Sequence, residues 1–323
     1  MVMRAITVTE FGGPEVLRMS EIPDPVPGAA DLLVRTDAIG VNYIDTYYRT
    51  GAYAVDLPYV PGLEGSGVVE AVGSDVTGVR AGDRVAWSSA PGSYAERVVV
   101  PAAVAVPVPE GVGASEAASV LLQGMTAHYL MNSVYYVEPG DTVLVHAGAG
   151  GVGLVLTQLA VARGARVITT VSSDEKELLS REAGAAEVLR YSDDLAQQVR
   201  ALTDGEGVAA AFDGVGADTF EASLASVRIR GTLALFGAAS GPVPPFDPQR
   251  LNPAGSVFLT RPTLAHYTRD RDELLWRSGE VFEAIRDGSL KIRIGAQYPL
   301  DEAEQAHRDL QSRRTTGSIV LIP

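Results

Sequence analysis

The stretch that decides the fold is His146-Ala147-Gly148-Ala149-Gly150-Gly151-Val152-Gly153, which joins an apolar strand pattern to an apolar helix pattern. Gly148, Gly150 and Gly153 have the G-x-G-x-x-G spacing that is typical of dinucleotide-binding turns. Glycines let the backbone approach a pyrophosphate, whose charge the N–H groups and dipole of the following helix stabilise. We predict a dinucleotide phosphate at residues 150–153. The alternative is a glycine-rich turn without a ligand.

Strand and helix patterns alternate on both sides of this turn. The predicted strands cover residues 142–146, 166–171, 187–190, 208–212, 232–236 and 256–260. Parallel neighbours need crossover helices, and these cover both faces of the sheet. The sequence therefore predicts an α/β fold with a doubly wound Rossmann domain and a six-stranded parallel sheet. Ser172, followed by Glu175, also fits a capping box at the start of the second helix.

The segments before and after this predicted domain have different sequence patterns. Up to about residue 110, Gly and Pro separate short β-rich runs, which indicates an irregular and mostly antiparallel β domain. After Pro262 come two helical patterns and a strand at 318–322. We expect this tail to rejoin the first domain. The predicted domains are thus 1–124 completed by 264–323, and 125–263.

Composition excludes several classes of function. The 323 residues include no cysteine, which excludes disulfides, thiol nucleophiles and zinc sites that need thiolates. A net charge of −14, with Lys176 and Lys291 as the only lysines, argues against a nucleic-acid partner. No apolar run approaches the ~18 residues of a membrane span, and the first residues lack a secretory signal pattern. We expect a cytoplasmic protein without a membrane partner.

The end of the second predicted strand bears on the choice of nucleotide. An NAD site usually has Asp or Glu about 20 residues after the glycines, where it binds the ribose hydroxyls. Here that place reads Thr170-Val171-Ser172-Ser173, and Lys176 follows within one helical turn. Hydroxyl donors and a cation suit a 2′-phosphate, so NADPH is favoured over NADH. Tyr191 could pack on the adenine or reach the same phosphate, whereas the alternative for Lys176 is an ordinary solvated helix residue.

A second cluster of polar and aromatic residues lies in the first domain, in the segment from residue 40 to residue 53. Phenol and amide groups can orient or polarise a carbonyl without a change of charge. Asn42, Tyr47 and Tyr53 are therefore candidate catalytic residues. The alternative makes Tyr43 and Tyr48 core residues and Asp45 a helix cap or a salt-bridge partner. The motifs of zinc proteases, α/β-hydrolases and P-loop proteins are absent from the sequence.

Taken together, these residues resemble the medium-chain dehydrogenase/reductase superfamily in its quinone oxidoreductase, or zeta-crystallin-like, branch. The resemblance covers nearly the whole chain and is greatest to bacterial NADPH:quinone reductases. The segments that carry it are Phe11-Gly12-Gly13-Pro14-Glu15-Val16-Leu17, Ala38-Ile39-Gly40-Val41-Asn42-Tyr43-Ile44-Asp45-Thr46-Tyr47, Ala81-Gly82-Asp83-Arg84-Val85, the glycine-rich turn, Thr260-Arg261-Pro262 and the final Gly317-Ser318-Ile319-Val320-Leu321-Ile322-Pro323.

The resemblance implies a GroES-like catalytic domain, an inserted Rossmann domain and a homodimer. It also implies a protein without zinc, since zinc-dependent relatives carry a GHE motif where this chain has Gly62-Leu63-Glu64. At two places the sequence departs from that of near relatives, in the part of the pocket that would hold the nicotinamide. Gln123 stands where near relatives carry Lys, and Ala238-Ala239 where they carry polar residues. These departures would tune the pocket to a different substrate.

The resemblance also assigns residues to the cofactor. Besides residues 150–153, the implied NADPH contacts are Asn42, Tyr43, Asp45, Thr46, Tyr47, Thr126, Tyr129, Ser172, Ser173, Lys176, Tyr191, Phe236, Gly237, Ala238 and Arg313.

The activity expected from this resemblance is NADPH-dependent transfer of a hydride, or of single electrons, to a quinone or a related α,β-unsaturated carbonyl. One alternative is a C=C reductase of the enoyl or 2-haloacrylate type, or a tailoring reductase of secondary metabolism. A non-enzymatic alternative is a crystallin-like or RNA-binding protein, against which the negative charge argues.

Overall fold

The computed structural model describes residues 2–323, so residue 1, at the start of the predicted first domain, lies outside it. Its internal contacts divide the chain into two compact units. The first unit contains the residues up to Gln123 together with Thr268–Pro323, and the second contains Gly124–Tyr267. The tail therefore returns to the first unit, and the second unit is inserted between its two parts.

The amino-terminal part of the first unit is rich in strands. Its elements are β1 (Val2–Thr7), a 3₁₀ turn (Pro14–Val16), β2 (Arg18–Pro23), β3 (Asp31–Val41), α1 (Tyr43–Arg49), β4 (Glu64–Val72), β5 (Arg84–Trp87), β6 (Arg97–Pro101) and β7 (Val106–Pro107). The boundary between the units falls within α2 (Ala114–Tyr129), and a π turn at Leu130–Val134 in the second unit follows this helix.

The second unit alternates strands and helices. Its elements are β8 (Thr142–Val145), α3 (Gly151–Ala162), β9 (Arg166–Val171), α4 (Asp174–Glu182), β10 (Glu187–Arg190), α5 (Leu195–Ala201), β11 (Val208–Asp213), α6 (Phe220–Ser226), β12 (Val227–Leu235), β13 (Phe258–Thr260) and α7 (Leu264–Tyr267), with a 3₁₀ turn at Pro248–Leu251. The tail adds α8 (Arg271–Arg286), β14 (Ile294–Pro299), a 3₁₀ turn at Leu300–Glu302, α9 (Ala303–Gln311) and β15 (Ser318–Ile322).

A seven-stranded sheet organises the first unit. Its order is β14-β15-β3-β4-β5-β7, and β6 also pairs with β3. The long strand β3 is central because β15, β4 and β6 all pair with it in antiparallel fashion. Leu32 and Val34, two residues apart on β3, are fully buried and pack with Trp87, Val98 and Val100. The predicted antiparallel β domain is confirmed.

The sheet of the second unit has the order β10-β9-β8-β11-β12-β13, and all its neighbours are parallel. Leu144, Ile168, Ala211 and Leu233 on its inner strands are fully buried, as expected where helices cover both faces. The predicted six-stranded parallel sheet is confirmed. The strand order reverses between β8 and β11, and ligands of such sheets bind beside this reversal, at the carboxyl ends of the strands.

The structure corrects several predicted elements. β12 begins at Val227, five residues before its predicted start, because Arg230 adopts a left-handed φ of 58° and the register shifts beside it. β13 is only three residues long. The sequence analysis missed α2 and β14. β14 alternates between half-buried and exposed residues, so its place depends on parallel pairing with β15.

Within residues 2–323, no helix is long and apolar enough to cross a membrane.

Candidate functional site

The glycine-rich turn joins β8 to α3, and two of its glycines allow close packing. A Cβ on Gly148 would lie 2.6 Å from Thr169 Cβ, and one on Gly153 would lie 2.2 Å from the carbonyl oxygen of Ala147. Gly150 is the N-cap of α3 and has an extended backbone. The first N–H groups of a helix have no partner within that helix. The turn therefore has the tight backbone and the free donors that a pyrophosphate needs.

His146, directly before the turn, is a structural residue. Its Nδ1 lies 2.8 Å from Thr170 Oγ1 and its Nε2 lies 2.8 Å from Ser223 Oγ. The ring is buried, and this burial lowers the pKa of His146 although the charge of Asp213 acts in the opposite direction. Both ring nitrogens thus have hydroxyl partners.

The residues predicted for a 2′-phosphate are brought together at the carboxyl end of β9. Lys176 Nζ lies 3.4 Å from Ser172 Oγ, and the backbone N–H of Lys176 donates to Ser173 Oγ at 3.3 Å. The prediction of a capping box from Ser172 to Glu175 is wrong. Because α4 begins at Asp174, Ser173 is its N-cap, and the Ser172 hydroxyl remains beside the lysine.

Tyr191 and Arg190, at the end of β10, complete this region. The backbone N–H of Ala147 in the glycine-rich turn donates to Tyr191 Oη at 3.1 Å. Arg190 donates to Asp174 Oδ1 at 2.6 Å and to Glu177 Oε2 at 2.8 Å. Arg190 was not singled out from the sequence, because nothing there shows that it pairs with these carboxylates. Arg190 thus offsets the negative charge of the two carboxylates that flank Lys176 in the chain.

Other residues predicted for the cofactor lie at the same end of the sheet or on helices. Phe236 and Gly237 follow β12, and a Cβ on Gly237 would lie 2.4 Å from the carbonyl oxygen of Gly214. Ala238 continues this loop, where its carbonyl oxygen accepts from the N–H of Gly241.

Thr126 and Tyr129 are buried on α2, and the Tyr129 ring stacks on Tyr267 with the centroids 4.4 Å apart. Arg313, in the first unit, follows α9 with a left-handed φ of 57°. The roles of these residues stay predictions.

In the first unit, the structure places the three predicted catalytic residues near one another in the chain but in different environments. Asn42 precedes α1 and is buried, with 6% of its surface exposed. Tyr53 is 40% exposed, and its ring centroid lies 5.3 Å from that of Tyr47 and 5.6 Å from that of Tyr48. Asn42 therefore offers a fixed amide, whereas Tyr53 offers an accessible phenol.

The polar atoms of the other α1 residues have partners inside the first unit. Tyr43 Oη donates to the carbonyl oxygen of Leu310 at 2.9 Å, and Thr46 Oγ1 donates to that of Tyr43 at 2.7 Å. Asp45 Oδ2 accepts from the Asn42 N–H and from Tyr94 Oη, both at 2.9 Å. The sequence alternative that made Asp45 a cap is confirmed, and contact of these three residues with a cofactor stays a prediction.

A buried polar network continues from Asp45 towards α9. Tyr94 Oη lies 3.0 Å from His307 Nε2, and His307 Nδ1 lies 2.9 Å from Arg49 Nη1. Because arginine only donates, Nδ1 accepts and the ring is neutral. Burial and the charge of Arg49 lower the pKa of His307 to about 3, while burial raises the pKa of Asp45 to about 7. Tyr94 and His307 were missed because no sequence spacing brings them together.

Comparison with known proteins agrees with both units. Residues 28–110 match the alcohol dehydrogenase GroES-like domain, and residues 151–271 match the zinc-binding dehydrogenase family. A quinone oxidoreductase of Pseudomonas aeruginosa is 45% identical over 99% of each chain. The chain belongs to the quinone oxidoreductase family of medium-chain dehydrogenases/reductases. The predicted family, the GroES-like domain and the Rossmann domain are thereby confirmed.

Two further members of this family are informative. A mycobacterial protein solved in complex with NADPH is 58% identical, with a TM-score of 0.98 over 99% of this chain and 100% of that one. A 2-haloacrylate reductase of Burkholderia is 39% identical over 100% of this chain and 99% of its own. Proteins similar to this quinone oxidoreductase family member thus include reductases named for different acceptors.

The donor chemistry of this family member does not fit zinc. The chain has no cysteine. Among residues 2–323, no group of three His, Asp or Glu side chains could hold a metal ion. Glu64, in the Gly62-Leu63-Glu64 segment, instead accepts hydrogen bonds from Asn42 and from the N–H of Leu122.

Proposed function

We propose that this protein is an NADPH-dependent, zinc-free reductase of quinones or related α,β-unsaturated carbonyls. The observation that carries the proposal is the arrangement of Ser172, Ser173 and Lys176 beside the glycine-rich turn. Asp174, the nearest carboxylate after β9, is paired with Arg190. A 2′-phosphate would meet hydroxyls and a cation there, and the NADPH complex of the mycobacterial relative supports the same nucleotide.

Separate groups of residues would bind the cofactor and the acceptor. The N-terminus of α3 and Gly148–Gly153 would bind the pyrophosphate, while Lys176 and the two serines would bind the 2′-phosphate. When bound, NADPH supplies a hydride that, with one solvent proton, reduces the acceptor. Asn42, Tyr47 and Tyr53 would orient that acceptor, and an amide or phenol donor would stabilise the negative charge that develops on its oxygen.

A zinc ion is not needed for this reaction. Oxidation of an alcohol requires that its proton be removed, which a Lewis acid promotes. A quinone or enone is already electrophilic, so addition of a hydride needs mainly proximity and alignment. A quinone or an enone as the acceptor is therefore consistent with a chain that has no fitting set of zinc ligands.

A C=C reductase is the second candidate function, favoured by the likeness to the 2-haloacrylate reductase. Product analysis separates the two: the protein is incubated with NADPH and either a benzoquinone or 2-chloroacrylate. Hydroquinone alone supports the first proposal, and 2-chloropropionate alone supports the second. Binding of NADPH with neither product would favour a non-enzymatic binding protein, for which retention on RNA is the further check.

The cofactor assignment has its own prediction, which is tested by calorimetric titration with NADPH and with NADH. We expect NADPH to bind at least about tenfold more tightly, since a charged hydrogen bond contributes roughly 1.5–3 kcal/mol. Lys176→Ala should abolish most of this preference. Lys291→Ala, which removes the other lysine from a different unit, is the matched control and should leave it intact. Equal affinities in the unaltered protein would exclude the proposed 2′-phosphate site.

We also propose a cytoplasmic homodimer that binds neither membranes nor nucleic acid. The negative net charge supports the last point. For the dimer, the support is the edge of the Rossmann sheet. Within residues 2–323, β12 is the only strand that pairs with β13, and Phe258 on β13 is 63% exposed. Large apolar side chains on an open strand edge are typical of surfaces that another chain covers.

A further inference from the structure

Two buried residues in the first unit hold the side-chain amide of Asn42 from both sides. Asn42 Nδ2 donates to Glu64 Oε2 at 2.7 Å, and Gln123 Nε2 donates to Asn42 Oδ1 at 3.1 Å. Glu64 is fully buried, and Gln123 is 7% exposed. The second carboxylate oxygen, Glu64 Oε1, accepts from the backbone N–H of Leu122 at 2.7 Å. The amide therefore cannot turn without breaking two hydrogen bonds.

The direction of this hydrogen-bond chain depends on the charge of Glu64. An ionised carboxylate only accepts, so the nitrogen of Asn42 must face Glu64 and its oxygen must face Gln123. Gln123 must then turn its nitrogen towards Asn42 and its oxygen towards Ser318, whose Oγ donates to it at 2.8 Å. One negative charge thus orients two amides and a hydroxyl.

We propose that Glu64 and Gln123 are positioning residues that orient the Asn42 amide so that its remaining N–H is offered to the acceptor oxygen of the substrate. The inference rests on the proposed function. A primary amide has two N–H donors, and only one of those of Asn42 is used within residues 2–323. A fixed, uncharged donor can stabilise the charge that develops on a reduced carbonyl.

The surroundings of Glu64 make this orientation depend on pH. Asp45 on α1 is the titratable group whose charge acts on Glu64, while α2 and β3 present the uncharged groups Leu122 N–H, Gln123 and Gly40. Burial raises the pKa of Glu64 to about 8. Below that pH the carboxyl binds a proton and can donate as well as accept, so it no longer holds the Asn42 amide in a single orientation. We therefore expect kcat to be higher when Glu64 is ionised.

A double-mutant cycle tests whether Glu64 acts through Asn42. We expect Glu64→Gln to lower kcat with benzoquinone by about tenfold or more, since a lost oxyanion donor costs roughly 10²-fold. In the Asn42→Ala background the same change should have an effect of less than about twofold, because non-additivity marks residues that act together. The ratio of the wild-type kcat to that of Glu64→Gln should rise with pH, with a midpoint near 8. An equal loss in both backgrounds overturns the proposal.

A spectroscopic measurement tests the same inference without the enzymatic assay. The ¹⁵N chemical shift of the Asn42 side-chain amide, followed by NMR in the full-length protein, should titrate with a midpoint near 8 and should be flat in Glu64→Gln. Gln123→Met, which keeps the length of the side chain but removes its donor, should also change this shift. A titrating shift in a protein that reduces no quinone would refute the proposed function alone. A pH-independent shift in the wild type would refute the positioning role.

Discussion

At the scale of the residue, Tyr53 is the candidate whose role can be isolated most cleanly. Its phenol is 40% exposed and lies outside the buried hydrogen-bond chain that holds Asn42. We expect Tyr53→Phe to lower kcat about tenfold, in the range of a lost acid or oxyanion donor, with the Kd of NADPH unchanged. Tyr48→Phe, which alters the aromatic neighbour, is the control and should leave both values unchanged. An unaltered kcat would remove Tyr53 from the mechanism.

At the scale of the element, the glycines at the start of α3 and in the middle of α8 differ in whether their surroundings leave room for a side chain. Gly153→Ala would place a Cβ 2.2 Å from a backbone oxygen, so we expect a loss of about 2 kcal/mol in the free energy of unfolding and weaker NADPH binding. Gly279, inside α8, has no neighbouring atom within 4 Å of such a Cβ. Gly279→Ala should stabilise the protein by about 1 kcal/mol, because alanine favours helix. Denaturant unfolding measures both changes, and a tolerated Gly153→Ala would contradict the close approach.

At the scale of the whole molecule, the open edge of the Rossmann sheet predicts association of two chains. Phe258 on β13 and Ile229 on β12 are 63% and 74% exposed. We expect a dimeric mass by light scattering and a monomeric mass for Phe258→Asp, since a charge at an apolar contact is costly to bury. Val26→Asp, at an apolar position of the other unit that is 86% exposed, should remain dimeric. A monomeric wild-type protein would refute the homodimer.

The sequence by itself determined the order of elements, the Rossmann sheet, the glycine-rich turn and the grouping of Ser172, Ser173 and Lys176. These features depend on residues close together in the chain, where periodicity and spacing report directly on local structure. The errors arose where local periodicity and spacing do not decide the structure. β14 and the first half of β12 depend on pairing with distant strands, and the choice of Ser173 over Ser172 as cap depends on where α4 begins.

Only the tertiary structure decided how the buried polar groups are paired. Glu64 and Gln123 lie 22 and 81 residues from Asn42 in the chain, and His307 lies 213 residues from Tyr94. No spacing rule spans such separations, because folding of the β-rich unit alone brings these side chains together. Burial then strengthens their interactions and shifts their pKa values, which no sequence pattern encodes. The orientation of the Asn42 amide and the pairing of Arg190 with Asp174 are therefore properties of the fold.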